Sequence, residues 1–132
     1  MDIDEVIRAC VAKDPRYRAQ AYHAVRLGLD QAQRSVHGEP RKGAKASARS
    51  RHVSGPQMLE GFRHHCLEAY GPMAYPLLAN WGVRKTSDVG NIVFNLIEGG
   101  FFGKSDEDSP ADFSNVFDFK EAFAQPFVPG RN

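Results

Sequence analysis

Apolar positions along this chain recur mainly at helical spacing. Ile3, Val6, Ile7, Cys10 and Val11 form a first stripe, the three-and-four pattern that turns one helix face toward a core. Asp2 with Glu5 three residues on reads as a capping box, which predicts a helix over residues 2–13. Asp14-Pro15 then reads as an N-cap followed by proline at the first helical position. The second helix is predicted from there to about Val36, with Tyr17, Ala21, Val25, Leu29, Ala32 and Val36 on one face, ended by Gly38 and Pro40. Ser54-Gly55-Pro56-Gln57 is the best-formed helix start, since Ser54 and Gln57 can cap each other's amides. Met58, Leu59, Phe62, Cys66, Leu67 and Tyr70 follow as its apolar face. Gly71-Pro72 breaks this helix and opens a fourth, ending at Trp81-Gly82. Pro76 falls about one turn into it, where proline costs a hydrogen bond and bends the axis. The Trp81 ring is expected to fill the junction between the two halves of the chain.

Residues 81–119 read differently. Thr86 or Ser87 can cap a fifth helix whose apolar positions are Val89, Ile92, Val93, Leu96 and Ile97, stopped by Gly99-Gly100. Phe101-Phe102 leads out as a candidate strand, and Val116-Phe117-Asp118-Phe119 is expected to return beside it. Helix, turn, helix and short hairpin is the order of a winged-helix unit. The fold expected is therefore mainly α: a compact helical domain with a winged-helix-like C-terminal half, a helix-turn-helix followed by a short β-hairpin. Ser109-Pro110 can start a single helical turn in the hairpin loop, and Asp118 with Glu121 can cap a final turn through Phe123. Residues 124–132, with Pro126 and Pro129, read as a loose tail.

With 132 residues, the chain has the length of one domain. Residues 38–51 hold no large apolar side chain and read as a flexible surface loop within that domain, not a linker. This loop is basic: Arg41, Lys42, Lys45, Arg49 and Arg51 put five positive charges and no negative one into residues 41–51, while Asp106, Glu107, Asp108 and Asp112 make the hairpin loop acidic. The near-neutral net charge of +1 hides this dipolar arrangement. Residues 69–83 carry no charge but are broken by Gly71-Pro72 and Pro76, so no membrane span is expected. The acidic opening Met1-Asp2-Ile3-Asp4-Glu5 predicts no export signal and hence a cytoplasmic protein, with Cys10 and Cys66 as buried, reduced thiols.

His52-Val53-Ser54-Gly55, Leu59-Glu60-Gly61-Phe62-Arg63, Tyr70-Gly71-Pro72-Met73-Ala74 and Asn80-Trp81-Gly82-Val83-Arg84-Lys85-Thr86 carry a resemblance. So do Ile92-Val93-Phe94-Asn95-Leu96-Ile97-Glu98, Asp106-Glu107-Asp108-Ser109, Asp112-Phe113 and Val116-Phe117-Asp118-Phe119. Together they are similar to a small uncharacterised bacterial protein family, first named from a methane-oxidising verrucomicrobium. The likeness covers about residues 15–123. The basic stretch 41–51 and Pro76 depart from its pattern, and it implies no activity, ligand or catalytic residue.

No catalytic, cofactor or metal motif stands out, and no cofactor is expected. Glu60, His64 and Glu68 lie four residues apart on one helix face, a possible cation stripe that reads first as a solvated polar face. Ser54 with His52 suggests a nucleophile, but capping already explains Ser54. Gly99-Gly100 and Gly103 lack the following helix start with lysine that a phosphate cradle needs. Two binding readings compete, with an enzyme of unrecognised type behind them. Nucleic acid, as DNA, RNA or ribosome, would be met by Arg41, Lys42, Lys45, Arg49, Arg51, Arg84 and Lys85. Yet the helix that would read bases holds Asp88, Glu98, Asn91 and Asn95 but no cation. The favoured reading is a non-enzymatic cytosolic protein-interaction or adaptor module, binding itself or another protein through the acidic Asp106, Glu107 and Asp108 and the apolar Phe127. Phe117, Phe119 and Phe123 are expected to close the core instead, and Ser54, Gln57, Trp81, Gly99 and Gly100 to act structurally.

Overall fold

The computed structural model describes residues 2–38, 53–101 and 109–127. Five α-helices account for most of them: α1 (Ile3–Lys13), α2 (Ala19–His37), α3 (Gly55–Tyr70), α4 (Ala74–Asn80) and α5 (Thr86–Glu98). Short turns follow, a 3-10 turn over Pro110–Phe113, a wide π-helical turn over Lys120–Ala124 and a 3-10 turn over Gln125–Phe127.

The main packing unit is α2 on α3. Small residues bring the two axes close: a Cβ added to Gly61 would meet the Ala32 Cβ at 2.6 Å and the Gly28 carbonyl oxygen at 2.7 Å. Phe62, Leu59, Val25 and Tyr22 fill the core beside this crossing, and Leu78, Ile92, Leu96 and Phe123 complete it from α4, α5 and the C-terminal segment. Ala32 is the last buried position of α2, so Val36, expected on the apolar face, is exposed.

Helix ends decide where the elements lie. Ser54 and Gln57 form the reciprocal cap of α3, the Gln57 amide donating to Ser54 Oγ at 3.2 Å and the Ser54 amide to Gln57 Oε1 at 2.9 Å. Asp2 caps α1 differently from the expected box, accepting from the Asp4 amide at 3.3 Å. The second helix begins four residues later than Pro15, because the Asp14 carboxylate is taken by the Arg16 backbone and side chain and does not cap a helix. A separate 3-10 turn over Gly71–Met73 precedes α4, which leaves Pro76 third in the helix, where amides have no partner within it, and not a turn further in as expected. Both α4 and α5 end in the Schellman arrangement: Val83 N–H donates to Leu78 O and Phe101 N–H to Leu96 O, with Gly82 and Gly100 at positive φ.

The expected β-hairpin is absent: no strand occurs among the described residues. Phe101 cannot start one, since its amide closes α5. Around Val116 the chain is pinned to a side chain instead of a partner strand. The buried Thr86 hydroxyl donates to Phe113 O at 2.6 Å and accepts from the Val116 amide at 3.2 Å, and Asn115 turns the backbone at φ 52°. Phe117, Phe119 and Phe123 then gather as one aromatic cluster, which Phe62 meets edge-on from α3. Asp118 accepts from the Glu121 amide at 3.0 Å and so caps the last turn. The winged-helix expectation is therefore replaced by an arrangement in which every regular element among the described residues is helical, with an aromatic C-terminal plug. The basic loop, the acidic cluster at 106–108, Phe102 and the end of the tail lie outside the described residues.

Candidate functional site

The helix expected to read DNA is enclosed. It packs against α1, α2, α3 and the Pro110–Phe113 turn, and of its thirteen residues only Glu98 is exposed. Gly90 lets Phe113 approach so closely that a Cβ there would meet the Phe113 Cβ at 2.7 Å. Thr86 and Ser87 do not cap the helix; Lys85 is its N-cap and makes no side-chain bond. Asp88 does the work from one turn inside, accepting from the Arg84 amide at 2.9 Å, with its charge placed favourably at the positive end of the helix dipole. Arg84 and Lys85 are exposed at this end.

One stripe of α5 is polar, and it forms the best-defined cluster of functional groups among the described residues. Asp88, Asn91 and Asn95 face the segment joining α1 to α2. Tyr17 Oη donates to Asp88 Oδ1 at 2.7 Å and accepts from Asn91 Nδ2 at 2.9 Å. Asn95 Nδ2 donates to Asp14 Oδ2 at 2.9 Å and to Tyr22 Oη at 3.0 Å. Arg16 closes the group, binding both Asp14 oxygens at 2.8 Å while lying over the Tyr17 ring. Hydrogen bonding to Arg16 holds the Asp14 carboxyl well below the usual carboxylate range, with the Asn95 amide helping against the cost of burial. Burial pushes the Tyr17 and Tyr22 phenols each up to about 12. Near neutrality Asp14 therefore stays charged beside Arg16 and the two phenols stay neutral, each bonded to an amide of α5. Such a seam orients elements.

Beside it, Ala9, Cys10, Lys13, Asn95, Glu98 and Gly99 line a cleft of about 120 Å³. This is below the roughly 150 Å³ of a cavity that accommodates one benzene ring. Cys10 Sγ donates to the Asn95 carbonyl at 3.4 Å, and burial pushes its thiol pKa up. Cys66 is sealed in the core and its thiol is pushed up by burial alone. Neither has the electropositive setting that makes a thiolate.

The remaining candidates are scattered. Glu60 pairs with Arg63, while His64 Nδ1 lies 3.6 Å from Glu68 Oε2, so the stripe's three members do not converge. Among the described residues no group of three or more His, Cys, Asp or Glu side chains is arranged to hold a metal, and no helix is long and apolar enough to cross a membrane. Trp81 is half-buried, edge-on to Tyr70, and its carbonyl accepts from the Arg18 amide at 3.0 Å. Phe127 is 41% exposed. The five loop cations and the three acidic residues at 106–108 lie outside the described residues. The sequence reading missed the seam. Its α5 half was visible as a polar stripe at positions 88, 91 and 95, but its partners stand more than seventy residues away. No family model, curated protein or solved structure matches the chain.

Proposed function

We propose that this protein is a non-enzymatic, cytosolic protein-interaction module, binding a second copy of itself or another protein as an adaptor. The observation that carries this reading is the enclosure of α5. A helix with one largely exposed residue, an acidic one, and with no Arg or Lys offers little to a DNA groove, and polar groups along it are taken by Tyr17, Tyr22 and Asp14. Met73, 55% exposed, Tyr75, Val116 and Phe127 are exposed on α4, its preceding turn and the C-terminal segment, and methionine and aromatic residues are favoured at interface centres. The resemblance of residues 15–123 to a bacterial family belongs to the same proposal and leaves it unchanged.

Fluorescence anisotropy against mixed-sequence duplexes, single strands and RNA tests the reading. Duplex affinity of about 10⁻⁵ M or weaker is expected at physiological salt, the level of non-specific contact. Sub-micromolar, sequence-dependent duplex binding overturns it. Salt-sensitive RNA binding that vanishes when Arg41, Lys42, Lys45, Arg49 and Arg51 are neutralised establishes RNA as the partner instead.

A further inference from the structure

One buried polar side-chain atom among the described residues has no hydrogen-bond partner: Nε2 of His65, on α3. The ring stands edge-on to Tyr70, with 5.9 Å between centroids, and Tyr70 stands edge-on to Trp81 at 5.6 Å. Three aromatic rings thus run from the last two turns of α3 across the Gly71–Met73 turn to the end of α4. A neutral imidazole can occupy this place, whereas a protonated one would bring a positive charge and an unanswered N–H into the stack. The charges around it are mixed. On α3, the Glu68 carboxylate favours a proton on the ring and His64 opposes one; on α2, Arg34 opposes one; Tyr70, its phenol raised by burial, stays neutral. Burial outweighs Glu68 and sets the ring below the ordinary histidine value.

We propose that His65 is a proton-operated latch on the corner where α3 meets α4: neutral, it holds the His65–Tyr70–Trp81 stack closed; protonated, it leaves for water and the corner opens. The corner also carries Met73 and Tyr75, so opening it changes the surface they belong to. The sign follows from linkage. The unfolded histidine takes a proton near pH 6.5 and the half-buried folded one resists it, so the closed corner keeps its full stability above about pH 6.5. Stability is lost as pH falls below that value, down to the ring's own folded pKa. A single proton raises the ratio of open to closed by at most about tenfold per pH unit over this window.

Trp81 is the sole tryptophan and belongs to the stack, so its emission reports the corner directly. The full chain is titrated from pH 8 to 4.5, above the range where most carboxylates take protons. A one-proton change in Trp81 emission with a midpoint below 6.5 is expected. The change is absent from His65→Phe, which replaces the orphan nitrogen with C–H, and retained in His64→Gln, which removes the exposed neighbour. Persistence of the transition in His65→Phe, or a flat wild-type emission, overturns the proposal. If His65→Phe fails to fold, the His65 ring-proton shifts are followed by NMR in the wild type, where a midpoint at or above 6.5 overturns it equally.

Discussion

The two sides of the core are held by opposite means. On one side α2 and α3 meet through Gly28, Ala32 and Gly61 at backbone contact. On the other, the α1–α2 segment meets α5 through two hydrogen-bonded groups, Tyr17 with Asp88 and Asn91, and Asn95 with Asp14 and Tyr22, which Arg16 bridges by binding Asp14 and lying over the Tyr17 ring. The first interface is sensitive above all to volume. The second tolerates little change in hydrogen-bonding capacity, because removing one member leaves another buried and unpaired.

This contrast breaks most clearly at Gly61. Leucine there must displace backbone atoms of α2 lying under 3 Å away, and a loss of about 3 kcal/mol in urea unfolding is expected. A loss under 1 kcal/mol would mean the helices part easily. At the seam, Tyr17→Phe keeps the shape and deletes one oxygen that bridges a carboxylate and an amide. About 2 kcal/mol is expected from the lost charge-assisted bond, with α1–α2 amides exchanging faster in hydrogen exchange than those of α3. Equal acceleration everywhere would show that the two sides do not differ. The smallest effect belongs to the rim of the same seam. Lys13 reaches Glu98 at 3.3 Å with both side chains largely exposed, so Lys13→Ala is expected to change stability by under about 0.5 kcal/mol. A larger loss would extend the seam to the surface.

The volume-controlled side was the more legible in sequence. The α3 start at Ser54 and the face through Met58, Leu59, Phe62 and Cys66 follow from local spacing and capping, which need no distant partner. The same holds for the stop at Gly99-Gly100. Where sequence reading failed, a distant group had claimed a local signal. Asp14 resembles an N-cap until Arg16 and Asn95 take its oxygens. Thr86 resembles another until Phe113 and Val116 take its hydroxyl. The alternation at 116–119 suggested a strand because Phe117 and Phe119 are two apart, yet both rings turn to Phe123. The unpartnered His65 nitrogen had no sequence signal, since His64-His65-Cys66 gives no hint of which imidazole faces inward.

The aromatic plug also sets an order of events during synthesis. Helix α5 is made before Phe113, Phe119 and Phe123, yet these later side chains seal its flank and the neighbouring α4. As the chain leaves the ribosome, α2 and α3 can already dock while α5 still shows bare apolar surface. Only when residue 123 has emerged can the last wall close. The nascent protein thus passes through an interval in which its most apolar helix is open to chaperones or to another unfinished copy, the exposure that makes partly built chains prone to aggregate.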